Sequence, residues 1–188
     1  TGSSGYALVD NGTTALIVAQ SSVGGNLTLT SGHASGITDS GTVTVGGNLT
    51  ATTDANSGVI NLGTLAVDGT VKLTTNGSGN ATVVNDAGLN FAASTVGGAL
   101  NATATTGNMT DSGALAITGT SSFTTSANNA TITLNDTGNS FAGAVSLNTT
   151  GSTGHATIDN GTTALNVGTS SVGGNLTLTS GHASGITD

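Results

Sequence analysis

SSVGGNLTLTSGHASGITD, residues 21–39, stands again letter for letter at residues 170–188. Extended backwards, the match aligns residues 1–39 with 150–188 without a gap, at an offset of 149, with 32 of 39 positions identical. Self-similarity at a fixed period decides architecture before any local feature does, because a repeated unit must be able to stack on its neighbour. The chain therefore reads as a single continuous segment, 1–188, in which 1–149 is one long unit and 150–188 opens the next.

Within the quoted stretch, Asn26-Leu27-Thr28-Leu29-Thr30 alternates polar and apolar residues, and Thr42-Val43-Thr44-Val45 does the same. That is the period of a half-buried strand. Helix is a poor fit, since Gly interrupts nearly every window and Thr, Val, Asn and Ser are weak helix formers. The glycine ending VGG and its relatives recurs at Gly25, Gly47, Gly69, Gly98, Gly119, Gly143 and Gly174, at intervals of 22, 22, 29, 21, 24 and 31 residues. A second landmark, Asp or Asn two places before Gly, recurs at Asp10, Asp39, Asn61, Asp86, Asp111, Asp136 and Asp159, and Asp188 stands in the matching place. Both landmarks count six coils of about 25 residues in 149.

After each VGG-type turn the first inward position reads Leu27, Leu49, Val71, Leu100, Ser121, Val145, Leu176, and the second Leu29, Ala51, Leu73, Ala102, Phe123, Leu147, Leu178. Where the first shrinks to Ser121 the second enlarges to Phe123, as a core of fixed volume demands. A third column is Val23, Val45, Val67, Val96, Ile117, Phe141, Val172; a fourth includes Ile37, Val59, Val83, Met109, Ile132, Ile158 and Ile186. A short coil cannot bury such a face alone, but stacked on copies of itself it can. The expected fold is all-β, a right-handed parallel β-helix (β-solenoid) with three short strands per coil.

The composition excludes several functions. There is no Cys, Pro, Trp, Glu or Arg, one cation (Lys72) and a formal charge of −8. Nucleic-acid binding has no electrostatic basis, and neither has attraction to anionic lipid. No apolar run approaches the roughly 20 residues of a membrane-spanning helix. Disulfides and thiolate metal sites are excluded outright.

The segments FAGAVSLNTTGS (Phe141–Ser152), ALNVGTSSVGGNLTLTSG (Ala164–Gly181) and ITDSGTVTVGGNLT (Ile37–Thr50) resemble the repeats of filamentous-haemagglutinin-type exoproteins. Those are bacterial surface adhesins with long β-helical shafts, usually exported by two-partner secretion. The resemblance implies an extracellular location, on the cell surface or secreted, an outer-membrane secretion partner, and any glycan or cell-surface receptor being met elsewhere in the parent protein. The family's N-terminal secretion domain is not among these residues.

Other patterns have a functional and a plain reading. Seven of the nine Asp fall in the Asx-x-Gly column, so acidic residues are expected to stack at one corner. Calcium prefers such oxygen ligands, but the calcium-binding nonapeptide G-G-x-G-x-D-x-U-x is absent, and an Asx-turn explains the pattern without metal. Two outward rows (Thr28, Thr50, Lys72, Asn101, Ser122, Ser146, Thr177 and Thr30, Thr52, Thr74, Thr103, Thr124, Asn148, Thr179) resemble the flat faces of ice-binding solenoids, though Thr is simply a good outward strand residue. Asn-x-Ser/Thr acceptor triplets are numerous, from Asn11 to Asn175, as the composition makes inevitable. His33 and its copy His182 occupy identical loops, while His155 stands where the first unit has Tyr6. Polysaccharide cleavage needs a convergent carboxylate pair or a basic residue, and the Asp residues are spread along the chain.

The chain is accordingly expected to be no enzyme, to have no catalytic, cofactor or metal residues, and to serve as the shaft of a large tandem-repeat adhesin. Such a shaft supports cell adhesion, aggregation or biofilm matrix. Its expected partners are adjacent repeats of the same protein, head to tail or side by side. The rival reading is a ligand-binding solenoid surface for ice or glycan. With the closing sequence identical to an interior one and no boundary at Thr150, the segment is expected to behave as part of a polymer, rising roughly 29 Å per six-coil unit.

Overall fold

A computed structural model describes residues 4–188, so the match of Thr1–Ser3 to Thr150–Ser152 lies outside the described residues. Among these residues every element is a strand, turn or bend, and every strand pairing is parallel. Parallel partners stand one circuit apart, as Ala7 with Leu27, Leu27 with Leu49, and Leu49 with Val71. The protein is a β-solenoid of about nine turns, about 21 residues each, with three strands per turn. One continuous core runs from Leu16 to Leu165.

Alternation makes the coils. Leu27–Ser31 buries Leu27, Leu29 and Ser31 and turns Thr28 and Thr30 outward, and Leu49–Asn56 repeats the pattern directly above it. Glycine makes the corners, because neighbouring turns approach backbone to backbone. A Cβ on Gly97 would collide with the carbonyl oxygen of Gly77 in the coil below, so no other residue fits without moving the chain. The Phe123 expectation holds: Leu100, Ser121 and Val145 are register partners, and the buried Phe123 ring fills the space beside the small Ser121. It also lies edge-on between Phe91 (6.4 Å, 73°) and Phe141 (5.6 Å, 74°).

The long columns read from the sequence do not survive as single columns. Leu27, Leu49 and Val71 pair on one sheet, Leu100, Ser121 and Val145 on the other, and Leu176 is back on the first. The Val23-Val45-Val67 and Val96-Ile117-Phe141 triplets are likewise separate stacks. In the fourth column Ile37 pairs Ile60 rather than Val59, and Ile132 pairs Ala156 rather than Ile158.

The cause is a change of face that occurs twice. At the first, the buried Asn85 turns its carboxamide onto Val67, accepting the Val67 N–H at 2.8 Å and donating to the Val67 carbonyl at 3.0 Å. The side chain pairs with Val67 as another strand would, and that side of the coil ends. The long strand Thr70–Asn76 is meanwhile covered by two short ones, Leu89–Phe91 and Ser94–Val96. The Leu73 N–H beneath the new corner is accepted by Ser94 Oγ at 3.0 Å. The next long strand, Leu100–Ala104, then lies on the neighbouring side. Asn160 and Ser170 repeat the device: the carboxamide takes the Phe141 N–H at 2.6 Å and bonds its carbonyl at 3.2 Å, and Ser170 Oγ accepts the Leu147 N–H at 3.0 Å.

The coil count changes accordingly. One column runs Leu16, Ile37, Ile60, Ala81, Leu100, Ser121, Val145, Val167, which is seven steps. Seven coils of about 21 residues, not six of about 25, therefore fill one unit. The VGG landmark miscounts because it marks the entry to the long strand, and the two longest intervals, 29 and 31, are those in which that strand moves to another side. The column also ends two residues beyond Leu165, the copy of Leu16. The other sheet has the same slip, for Leu27 reaches Phe91 through Leu49 and Val71, whereas its copy Leu176 reaches Leu89 through Ala156, Ile132 and Met109.

Candidate functional site

The polar groups outside the apolar core bond both within a coil and from coil to coil. The first set is hidden at the far end of each long strand, where Ser31, Thr53, Thr75, Thr125 and Thr149 are buried. The threonine hydroxyls donate into the following turn, Thr53 to the Gly58 carbonyl at 2.9 Å, Thr75 to Gly79 at 2.8 Å and Thr125 to Ala130 at 3.1 Å, whereas Ser31 donates to the Thr14 carbonyl of the coil below at 3.2 Å. These are third inward positions that sequence reading missed. The signal was present, since the alternation continues, but a hydroxyl in an inward slot reads as the end of a strand.

The second set is a ladder of acceptors at the corners. Asn26 Oδ1 accepts the Asn48 N–H at 2.9 Å, and Asn48 Oδ1 the Thr70 N–H at 2.9 Å. Asn80 takes Ala99 at 2.8 Å and Asn108 takes Thr131 at 2.9 Å. The fifth rung is His155, whose Nδ1 accepts the Asn175 N–H at 2.8 Å. His33 and His182 use the same ring nitrogen within their own loops, accepting from Ser35 and Ser184, each at 3.0 Å.

The carboxylates do not form the expected row. Asp10 lies beside Thr30 in register and Asp159 beside Thr179, and Asp39 beside Val18. Asp10, Asp136 and Asp159 make the Asx-turn, each accepting an N–H two residues on, from Gly12, Gly138 and Gly161 at 2.8–2.9 Å. Asp39 and Asp111 instead reach to the next coil. Asp39 accepts from the Thr64 N–H (2.7 Å) and hydroxyl (2.8 Å), and Asp111 from the Asn139 side-chain amide at 2.7 Å. Among the described residues no three His, Asp, Glu or Cys side chains gather as a metal site would require.

The outward Thr rows are broken by the changes of face. Thr28, Thr50 and Lys72 line one sheet, whereas Asn101, Ser122 and Ser146 line the other. Large apolar side chains are exposed only in the outermost turns, at Tyr6, Leu8, Val9, Ile17, Leu176 and Ile186 among the described residues. No helix of the described residues is long and apolar enough to cross a membrane.

A family profile of repeats of unknown function, DUF5649, matches residues 5–62 and 78–148, well over half of the chain. The chain belongs to the DUF5649 repeats. The first matched stretch covers the opening coils, and the second contains the first change of face, with Asn85 and Ser94. No curated protein and no solved structure matches the chain.

Proposed function

We propose that this DUF5649 segment is part of the shaft of a large tandem-repeat bacterial adhesin of the filamentous-haemagglutinin type, displayed on the cell surface or secreted. The shaft holds a distal receptor-binding or cell-contact module away from the envelope and does no chemistry of its own. Its immediate partners are adjacent repeats of the same protein, with an outer-membrane secretion partner for export.

One observation carries the reading. The strands that open each unit are repeated: Ala7–Asp10 and Ala156–Asp159 pair with Leu27–Ser31 and Leu176–Thr179 on the same sheet. Across the junction of units the buried Leu147 and Thr149 are followed, after one turn at the surface, by the buried Gly154 and Ala156. A unit therefore ends in a state that another can follow, which is the property a rod of variable length needs. The resemblance of the FAGAV and VGGNLTLT segments supports the adhesin class and the extracellular location. A regular ice- or glycan-binding face gains nothing from the split Thr rows.

The test is cell fractionation and electron microscopy of the parent protein in bacteria that produce it. Surface-exposed or released rods, lengthening by roughly 34 Å for each added 149-residue unit at ~4.8 Å per coil, are expected. A cytoplasmic or globular product would overturn the proposal. The isolated segment should also show neither thermal hysteresis nor glycan retention on an array.

A further inference from the structure

Of the five acceptors that stand just before a strand, Asn26, Asn48, Asn80, Asn108 and His155, only His155 is titratable, and it stands in the opening turn of the second unit. Its Nδ1 occupies the place that Oδ1 holds in Asn108, on the same corner two coils below, and each faces the backbone N–H of the coil above. A backbone N–H can only donate, so Nδ1 must keep its lone pair and the ring must be neutral with its proton on Nε2. Protonating the ring fills Nδ1 and sets N–H against N–H. An Asn at the same place would be indifferent to acid.

We propose that His155 is an acid-sensitive joint between the coil beginning at Ala156 and the coil beginning at Leu176. With the ring neutral the joint is closed by the Asn175 N–H. Proton uptake by the ring fills Nδ1, so in acid the rung is lost and the coil beginning at Leu176 loosens. The stabilisation is thus present on the alkaline side and disappears on the acid side. The ring is flanked by Gly154 and Ala156 on its own chain, Thr131 on the coil below, and Gly174 and Asn175 above. The acids of its own coil and the coil below, Asp159 and Asp136, are turned to the Gly161 and Gly138 amides. Tyr6 takes the equivalent place in the first unit, so the joint belongs to one unit and not to every one. Such a joint does not depend on the adhesin reading.

The experiment follows the 188-residue chain by NMR, comparing wild type with His155→Asn, in which Oδ1 restores a non-titrating acceptor. The Asn175 amide is expected to lose about five-fold in hydrogen-exchange protection, normalised for intrinsic rate, between pH 7.5 and 5.0 in wild type, the worth of one ordinary hydrogen bond. In His155→Asn it should change less than two-fold, while the loop bonds of His33 and His182, remote from the substitution, serve as internal controls that behave alike in both. Equal loss in both proteins would overturn the proposal. Should the variant fold poorly, wild type alone decides. The Asn175 amide resonance must move with the same midpoint as the His155 ring, whose nitrogen shifts must report the Nε2–H tautomer at pH 7.5. An amide that ignores the ring, or an Nδ1–H tautomer, also sinks it.

Discussion

At the scale of single residues the decisive side chains are polar ones in dry places. Asn160 is fully buried and its carboxamide serves Phe141 on both backbone groups, and also donates to the Thr163 and Ala164 carbonyls. Asn160→Leu keeps the branched shape and orphans those groups. The expected loss is about 3 kcal/mol in urea unfolding, since each buried unpaired group costs about 1–3 kcal/mol. Asn166→Ser on the outward side should stay within about 0.5 kcal/mol. Ser121 is the opposite case, for its hydroxyl is buried without a partner. Ser121→Ala removes the orphan without adding bulk and should raise the melting temperature, by about 1 kcal/mol of stability. A fall would mean that the hydroxyl has a use in the fold. The small Ser121 beside the large Phe123 was legible as a volume exchange, because both lie on one strand. Asn85 and Asn160 were not, because an Asn before Asp or Gly reads as a turn residue and nothing local marks it as an amide standing in for a strand.

Among elements, strands were readable and their sides were not. Period-2 alternation identifies Leu27–Ser31 or Leu100–Ala104 from a handful of residues, and the two strands look alike. Which side of the coil each occupies depends on what Asn85 and Ser94 do a turn away, and that information lies outside the strand. Within the first block the sides are constant: Ser22, Thr44 and Ala66 share a column, as do Leu27, Leu49 and Val71. Deleting residues 44–65 removes one whole circuit and joins Val43 to Ala66 in register. Such a protein should still unfold cooperatively with a parallel-sheet circular-dichroism spectrum, at reduced stability because one stacking interface is gone. Deleting 15 residues from the same region turns inward residues outward and should abolish the transition. A folded product from the shorter deletion would contradict the pairing of Val43 with Leu65 and Thr44 with Ala66.

For the whole molecule, the number of turns per unit is a measurable length. Seven coils predict a rise of roughly 34 Å per 149 residues, against roughly 29 Å for the six that the turn landmarks suggest; small-angle scattering on proteins of two, three and four units separates the two. The two-residue slip in register has a different consequence. Out of about 21 residues per turn, two amount to roughly a tenth of a revolution, so each unit is set round the axis from the one beneath it. In a rod of many units, a feature carried once per unit, such as Lys72, would trace a shallow thread with a pitch of roughly ten units, on the order of 340 Å. Two such rods lying side by side would meet through any given feature only at distant crossings. Their lateral contacts would be sparse and regularly spaced, and the spacing would be set by the arithmetic of the repeat.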